Sequence, residues 1–315
     1  MEKRFDVLCV GGLVCDFMIK PVPVDMFQKD ACFIDTIETN VGGDAANESV
    51  VMSKLGMKVG LASEVGDDST GKDVLAYLEK NGVDISNVVV RGNKKTRTNI
   101  VNIEAGGERH FLIFPMEFDE FGGDDLNYDV LKDTRMVSVG SIHAYVGLDA
   151  ALADYLKAAK EAGCITSADM VSNLTKQPLE ETKKIIAQLD YLIPSEGEAE
   201  ELTGLKDPKE MADCLLSWGA KNVIIKLGEK GCYVKNAAEE FSVPIFPAKA
   251  IDTTGAGDNF TGSFLTAVLM GWDLKKCAHF ACATGSIAVQ SIGATTGLKD
   301  MDQVISVMKE NNRWM

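Results

Sequence analysis

Asp252-Thr253-Thr254-Gly255-Ala256-Gly257-Asp258-Asn259-Phe260 is the most informative stretch of the 315-residue sequence. Beyond it, Phe260, Phe264, Leu265, Val268 and Leu269 recur at helical spacing until Gly271. An amphipathic helix is therefore expected, with the Gly-Ala-Gly run at its N-terminus. Small residues there leave backbone N–H groups uncovered, and the helix dipole adds partial positive charge, so an anion can be held without Lys or Arg. Asp258 falls in the first turn, beside that anion. It is either a capping carboxylate, worth about 1 kcal/mol, or a general base that takes a proton from a hydroxyl while the helix end holds a migrating phosphoryl group.

A second glycine pair, in Val41-Gly42-Gly43-Asp44-Ala45-Ala46-Asn47, also opens a helix, with Val50, Val51 and Leu55 as its apolar positions and Gly56 as its stop. Asn47 falls one turn after Gly43, where its amide could donate to and accept from a polyhydroxy ligand. Asp16, just past the first apolar run, stands where open α/β sheets bind ligands, at the carboxyl end of a strand.

Around these segments, short β-rich runs alternate with helical ones, the pattern of a parallel sheet covered by helices on both faces. Strands are expected at residues 5–10, 58–63, 136–139, 164–168, 191–193 and 222–226, and helices at 71–81, 150–162 and 179–189 among others. With no linker and no internal repeat, one domain over 1–315 is expected. Residues 31–41 and 96–114 are strand-like without an intervening helix, and Ala105-Gly106-Gly107 is a good hairpin turn. A small separate sheet follows, placed at about 13–41 and 94–116, as a lid over a site or as a contact between two copies.

Two motifs mislead. Gly66-Asp67-Asp68-Ser69-Thr70-Gly71-Lys72-Asp73 has P-loop spacing, but it lacks the Ser or Thr for Mg²⁺ and places two carboxylates where phosphate would lie. A surface turn into a helix is expected instead. Cys277, His279 and Cys282 point about 200° and 300° apart on a helix, as a small-residue helix face rather than a zinc site. Neither Gly11-Gly12 nor Gly255-Ala256-Gly257 completes a dinucleotide fingerprint.

Composition narrows the partners. With 46% apolar and 25% charged residues, the chain is of globular type, and 32 Lys+Arg against 47 Asp+Glu give a formal charge of −15. Nucleic acid and anionic membranes, which need a basic footprint, are poor partners. No run approaches the length of a membrane span. The first residues lack a cleavage pattern, and the eight cysteines form no CxxC pair, so free thiols in a reducing cytosol are expected.

Together these segments resemble the ribokinase-like, or PfkB, carbohydrate kinase family. The resemblance runs from Gly11-Gly12 and Asp16 through Gly42-Gly43-x-x-x-Asn47, residues 64–71 and Gly82-Val83-Asp84 to Pro194-Ser195-Glu196-x-Glu198-Ala199-Glu200, Leu227-Gly228-x-x-Gly231 and the quoted 252–258 stretch. It implies a three-layer α/β/α fold with a mostly parallel central sheet and a small β lid, and ATP-dependent transfer of a phosphoryl group to a sugar hydroxyl. By position, Asp258 would be the base and the backbone of Gly255, Ala256 and Gly257 the anion hole. Asp16, Gly42, Gly43 and Asn47 would hold the sugar; Glu104, Arg109 and His110 of the hairpin either contact substrate or are the charges an exposed strand carries for solubility. Ser195, Lys226, Gly228 and Gly231 would meet the nucleotide, and Glu198 would act on Mg²⁺ through water. Asp252, with the carbonyls of Thr254 and of the Ile292-Gly293 turn, matches a site for a monovalent cation such as K⁺. Two positions depart from the family: Ser195 replaces the usual Asn, and Asp44 stands where ribokinase itself often has Lys, which speaks against ribose. A nucleoside kinase of the same family and a non-catalytic sugar-binding protein are the alternatives, the first wanting an aromatic platform from Phe17, Phe33 or Phe114.

Overall fold

The first strand, β1 (Phe5–Val10), has two buried faces: Val7 and Cys9 enter one apolar core, and Leu8 and Val10 the other, as the two-residue period of a strand dictates. In this computed structural model, residues 3–106, 108–114 and 121–314 are described, without the side chains of Arg109 and Phe111. Gly107 of the expected turn, residues 115–116 of the expected lid and the Arg109 side chain thus lie outside the described residues.

After β1 come β2 (Val14–Lys20), β3 (Thr36–Gly42), α1 (Asp44–Lys54), β4 (Val59–Gly66), α2 (Ser69–Lys80), β5 (Val83–Arg91), β6 (Thr98–Ile103) and β7 (Arg109–Phe114). The middle of the chain forms β8 (Thr134–Ile142), α3 (Val146–Glu161), β9 (Ile165–Met170), α4 (Leu179–Ile186), β10 (Tyr191–Leu192), α5 (Glu196–Thr203) and α6 (Pro208–Ser217). Then follow β11 (Asn222–Lys226), β12 (Cys232–Asn236), β13 (Glu240–Val243), α7 (Ala256–Leu269), α8 (Leu274–Ala288) and α9 (Met301–Glu310).

Nine strands form the main sheet in the order β13-β12-β11-β10-β9-β8-β1-β4-β5. All pairs from β11 to β5 are parallel, while β12 and β13 add an antiparallel edge. One core lies between the sheet and α1, α2, α7, α8 and α9, and the other between the sheet and α3 to α6. The architecture is therefore the expected three-layer α/β/α arrangement with a mostly parallel sheet. The chain runs from β1 to β4 on one side and later returns to β8 on the other, so a topological switch lies between β1 and β8, where ligands bind beyond the carboxyl ends of strands. The second, smaller sheet has the order β3-β2-β6-β7 and forms the lid sheet.

Three differences from the sequence reading have physical causes. Val14–Lys20, within the 13–41 stretch expected in the lid, is a separate strand at the centre of the small sheet, which the sequence hides because its apolar residues merge with the end of β1. Asp16 is thereby the third residue of β2, opposite Asn40 and Asn99, and not a residue just past β1. β5 escapes notice because Asp84, Ser86 and Asn87 break its apolar pattern at the sheet edge, and β12 and β13 because they are short and polar.

The P-loop look-alike is a helix start. Asp68 accepts the Gly71 N–H at 2.8 Å and so caps α2, and the same carboxylate holds the Thr96 hydroxyl at 2.6 Å. Cys277, His279 and Cys282 are buried in α8, where the His279 ring packs edge-on to Phe246 and Cys282 Sγ lies 3.9 Å from Cys232 Sγ.

Candidate active site

α7 begins where expected, at Ala256, directly after Gly255 in the left-handed region with φ 72°. A side chain at Gly255 would run into the Ala294 backbone, so glycine is what lets the 252–255 loop lie against the 292–296 turn. Two buried side chains tie these segments together. Asp252 accepts Thr254 N–H at 2.8 Å and Gly293 N–H at 3.0 Å, and Asn259 donates to the Gly255 carbonyl at 2.7 Å and the Ala294 carbonyl at 2.6 Å. The Ile292 and Gly293 carbonyls both accept the Thr296 hydroxyl. Gly255, at the N-cap, has no side chain with which to cap α7. Of its first amides, Ala256 donates to the Thr253 carbonyl at 3.2 Å.

α1 meets this helix end from the other side. Gly43 caps it with φ 93°, in a place where a Cβ would collide with the Gly12 carbonyl. That close approach puts Asn47 next to Asp258, and Asn47 Nδ2 donates to Asp258 Oδ2 at 2.6 Å. On the lid sheet, Asp16 Oδ1 accepts Asn99 Nδ2 at 2.8 Å, and Gly42 packs on the same carboxylate. The structure thus brings the 255–258 turn together with Asn47, and places Asp16 with Gly42 at the base of the lid. Glu104 stands apart: its partner among the described residues is the exposed His110 at 2.7 Å.

Several carboxylates crowd the site. Burial, reinforced by Asp44 and Asp169, holds Asp258 well above the ordinary carboxylate range, against the opposing pull of Asn47 and Lys226. Burial also pushes Asp44 to about 6, although Ser141 donates to it. Lys226, the last residue of β11, is paired with the buried Asp169 at the end of β9. Burial alone would lower the Lys226 pKa, but Asp169 and then Glu198 outweigh it and raise it. Glu198 and Ser195 form a reciprocal capping box at the start of α5. Burial and the nearby Asp169 raise Glu198.

Sequence reasoning missed Glu48, Asp169, Ser141 and Thr261. Glu48 is fully buried in α1; Oε2 accepts from Ser138 at 3.0 Å, and Oε1 has no partner among the described residues. Burial, then Asp169, Asp258 and Asp44, push its pKa far up. A carboxyl raised in the folded state stabilises the fold most below its unfolded pKa of about 4.3 and loses that contribution as pH rises through the folded value. Glu48→Gln is therefore expected to raise Tm at pH 8 by about 2 °C or more and to flatten the fall in Tm between pH 5 and 8, as measured by calorimetry. A lower Tm across that range would mean that ionised Glu48 is stabilising.

Beside the α7 terminus opens a largely apolar cavity of about 390 Å³, lined by Lys226, Gly228, Gly231, Phe246, Ala256 and Gly257 among others. Gly231 lies so close to the Val243 carbonyl that no side chain would fit there.

The pattern of the pfkB family carbohydrate kinases matches residues 5–301. Fructokinase-2 of Solanum lycopersicum is 32% identical over 286 residues, which cover 85% of this chain and 87% of that one. Among solved structures, Arabidopsis thaliana ribokinase complexed with ribose and ATP superposes with a TM-score of 0.83 at 25% identity, over 98% of this chain and 99% of that one. A ribokinase-like protein from E. coli in complex with ATP and Mg²⁺ has a TM-score of 0.84 at 23% identity, over 98% and 100% of the two chains. No helix among the described residues is long and apolar enough to cross a membrane. From β1 to the first residue of α9 the match is continuous, and the chain belongs to the pfkB family of carbohydrate kinases, phosphotransferases that act on sugar hydroxyls.

Proposed function

We propose that this protein transfers the γ-phosphoryl group of ATP to a primary hydroxyl of a small sugar, with Asp258 as general base. The observation that carries this reading is the Asp258 carboxylate, fixed by Asn47 in the first turn of a helix headed by Gly255 that adjoins a cavity of nucleotide size. Phosphoryl transfer needs chiefly in-line positioning and charge neutralisation. The acceptor hydroxyl lies between Asp258 and the γ-phosphate; Asp258 takes its proton while the amides of the 255–257 turn meet the phosphoryl charge. The adenine occupies the apolar cleft along Gly228 and Gly231, and Lys226 points to its phosphate end. Asp16, Gly42, Gly43 and Asn47 hold the sugar. The lid sheet, carrying Glu104, closes over the sugar within the same single domain and keeps water from the γ-phosphate.

Mg²⁺ offsets phosphate charge when bound. Glu198 suits a water-mediated contact with it, because Ser195 N–H takes Oε2 at 2.6 Å and Oε1 remains for a water. The hydroxyl of Ser195 serves Glu198 N–H instead of a metal. The Asp252 carboxylate and the Thr254, Ile292 and Gly293 carbonyls are oxygen ligands of the kind a monovalent cation such as K⁺ takes, beside the loop that would set the anion hole.

A sugar acceptor is favoured over a nucleoside. Of the three candidate platform residues, Phe17 packs on the core, while Phe33 and Phe114 are exposed and not packed over the Asp258 site. Fructose is the first candidate, since curated relatives at 30% identity or above are fructokinases. The test is ADP release with ATP, Mg²⁺ and K⁺ across ketohexoses, aldohexoses, ribose and nucleosides. Turnover is expected with a hexose, with loss of activity on chelating Mg²⁺; turnover confined to nucleosides would overturn the acceptor assignment.

A further inference from the structure

Resting on the phosphoryl-transfer reading above, we infer that Asp169 is a positioning residue that fixes Lys226 at the γ-phosphate end of the nucleotide, with Thr261 as its second tether. Asp169 joins three elements. Its Oδ1 accepts the Met170 N–H at 2.8 Å in β9, while Oδ2 accepts Lys226 Nζ from β11 and Thr261 Oγ1 from α7, the latter at 2.8 Å. Thr261 lies one turn after Asp258, so the carboxylate that holds the ammonium is itself held by the helix that carries the base.

The position of the ammonium gives this arrangement its meaning. A Cβ on Gly257 would lie 3.5 Å from Lys226 Nζ, which puts the charge against the first turn of α7. The same side chain lines the 390 Å³ cavity, so it stands at the junction of the nucleotide cleft and the anion hole. Lys226 is also the cation that acts on Asp44, Glu198 and Asp258 alike. A polyphosphate entering this acidic surrounding needs one positive charge in a fixed place.

Lysine alone does not provide that, because its ammonium sits on a flexible four-carbon stem. Asp169 uses one of three N–H donors to anchor the group and leaves two for phosphate oxygens. Were the pair only structural, apolar residues would serve as well, since buried ion pairs add little net stability. The transferring phosphoryl group must stand within reach of the hydroxyl on Asp258, and Lys226 is beside Asp258. The contact therefore falls on the γ- rather than the α-phosphate.

The experiment compares ATP with ADP. Calorimetric binding of each nucleotide, with Mg²⁺, is measured for wild type, Asp169→Asn, Thr261→Val and the double variant Asp169→Asn/Lys226→Met, together with kcat. Loss of one charge-assisted contact is expected to weaken ATP roughly tenfold in Asp169→Asn while ADP stays within about twofold, and to lower kcat on the order of 10²-fold. Thr261→Val moves the same way by less. Because Asp169→Asn leaves a buried ammonium without its partner and can impair folding, the double variant, which removes both charges, reads separately whether Lys226 is what distinguishes ATP from ADP, and Thr261→Val, which keeps both charges, carries the test of positioning. Equal weakening of ATP and ADP in the folded variants, or an unchanged preference for ATP, overturns the inference. The binding ratio needs no turnover, so a failure of the base assignment, read from Asp258→Asn, remains separate from a failure here.

Discussion

Asp258→Asn is expected to lower kcat by about 10²–10⁴ while leaving Tm near or above the wild-type value. Asparagine preserves size and still accepts the hydrogen bond from Asn47, which arrives at 2.6 Å. What it removes is the ability to take a proton, and with it a charge that burial and the Asp44 and Asp169 carboxylates disfavour. Activity and stability should thus move in different directions. The pH profile gives an independent reading. A general base acts only when ionised and the Asp258 pKa is raised, so, with Asp258 in that role, kcat/KM should fall on the acid side well above the usual carboxylate range, recovering as pH rises. Asn47 favours the ionised form, and Asn47→Ala should shift this limb upward by about one pH unit, the size expected for loss of a charge-assisted hydrogen bond. Asp258→Asn with wild-type turnover, or an acid limb unmoved by Asn47→Ala, would remove Asp258 from the role of base.

The sequence made the helix end at 255–258 readable because every signal there is local: glycines, a carboxylate in the first turn, then helical periodicity. The same holds for Gly43 and Asn47, one turn apart. It did not reveal that these two helix ends face each other, since Asn47 and Asp258 meet across 211 positions. Asp169 meets Lys226 across 57 positions and Thr261 across 92. No spacing encodes such contacts; only the order of strands creates them. Asp169 was nonetheless within reach of sequence reasoning, because the rule that singled out Asp16, a carboxylate at the carboxyl end of a strand, applies to it better. Asp16 itself came to notice for a reason that fails, since it lies inside β2. Glu48 gave no signal at all: a glutamate in a helix is ordinary, and only packing against β8 and α7 buries it. The net charge of −15 speaks against basic-footprint partners but not against a phosphate group held by helix amides, which a count of charged side chains does not register.

Gly255→Ala should be nearly as damaging as loss of the base, although it removes no functional group. At φ 72° a Cβ costs about 1–2 kcal/mol through backbone sterics alone. In addition, that Cβ would fall within 3 Å of the Ala294 Cα, carbonyl oxygen and Cβ, so the 252–255 loop or the 292–296 turn must shift. The amides of the first turn of α7 shift with it, and a displacement near 1 Å in a positioned site costs about 10²-fold in rate. Gly271→Ala separates the two effects. It has nearly the same backbone, φ 77°, lies at the far end of α7, and its Cβ would meet nothing within 4 Å. Both variants should therefore lose stability through the backbone term, a Tm drop of about 2–4 °C per kcal/mol or somewhat less for a chain of this length. Only Gly255→Ala should lose about 10²-fold in kcat, with Gly271→Ala at wild-type turnover. Equal kcat in the two variants would mean that the turn before α7 has no part in placing the transferred phosphoryl group.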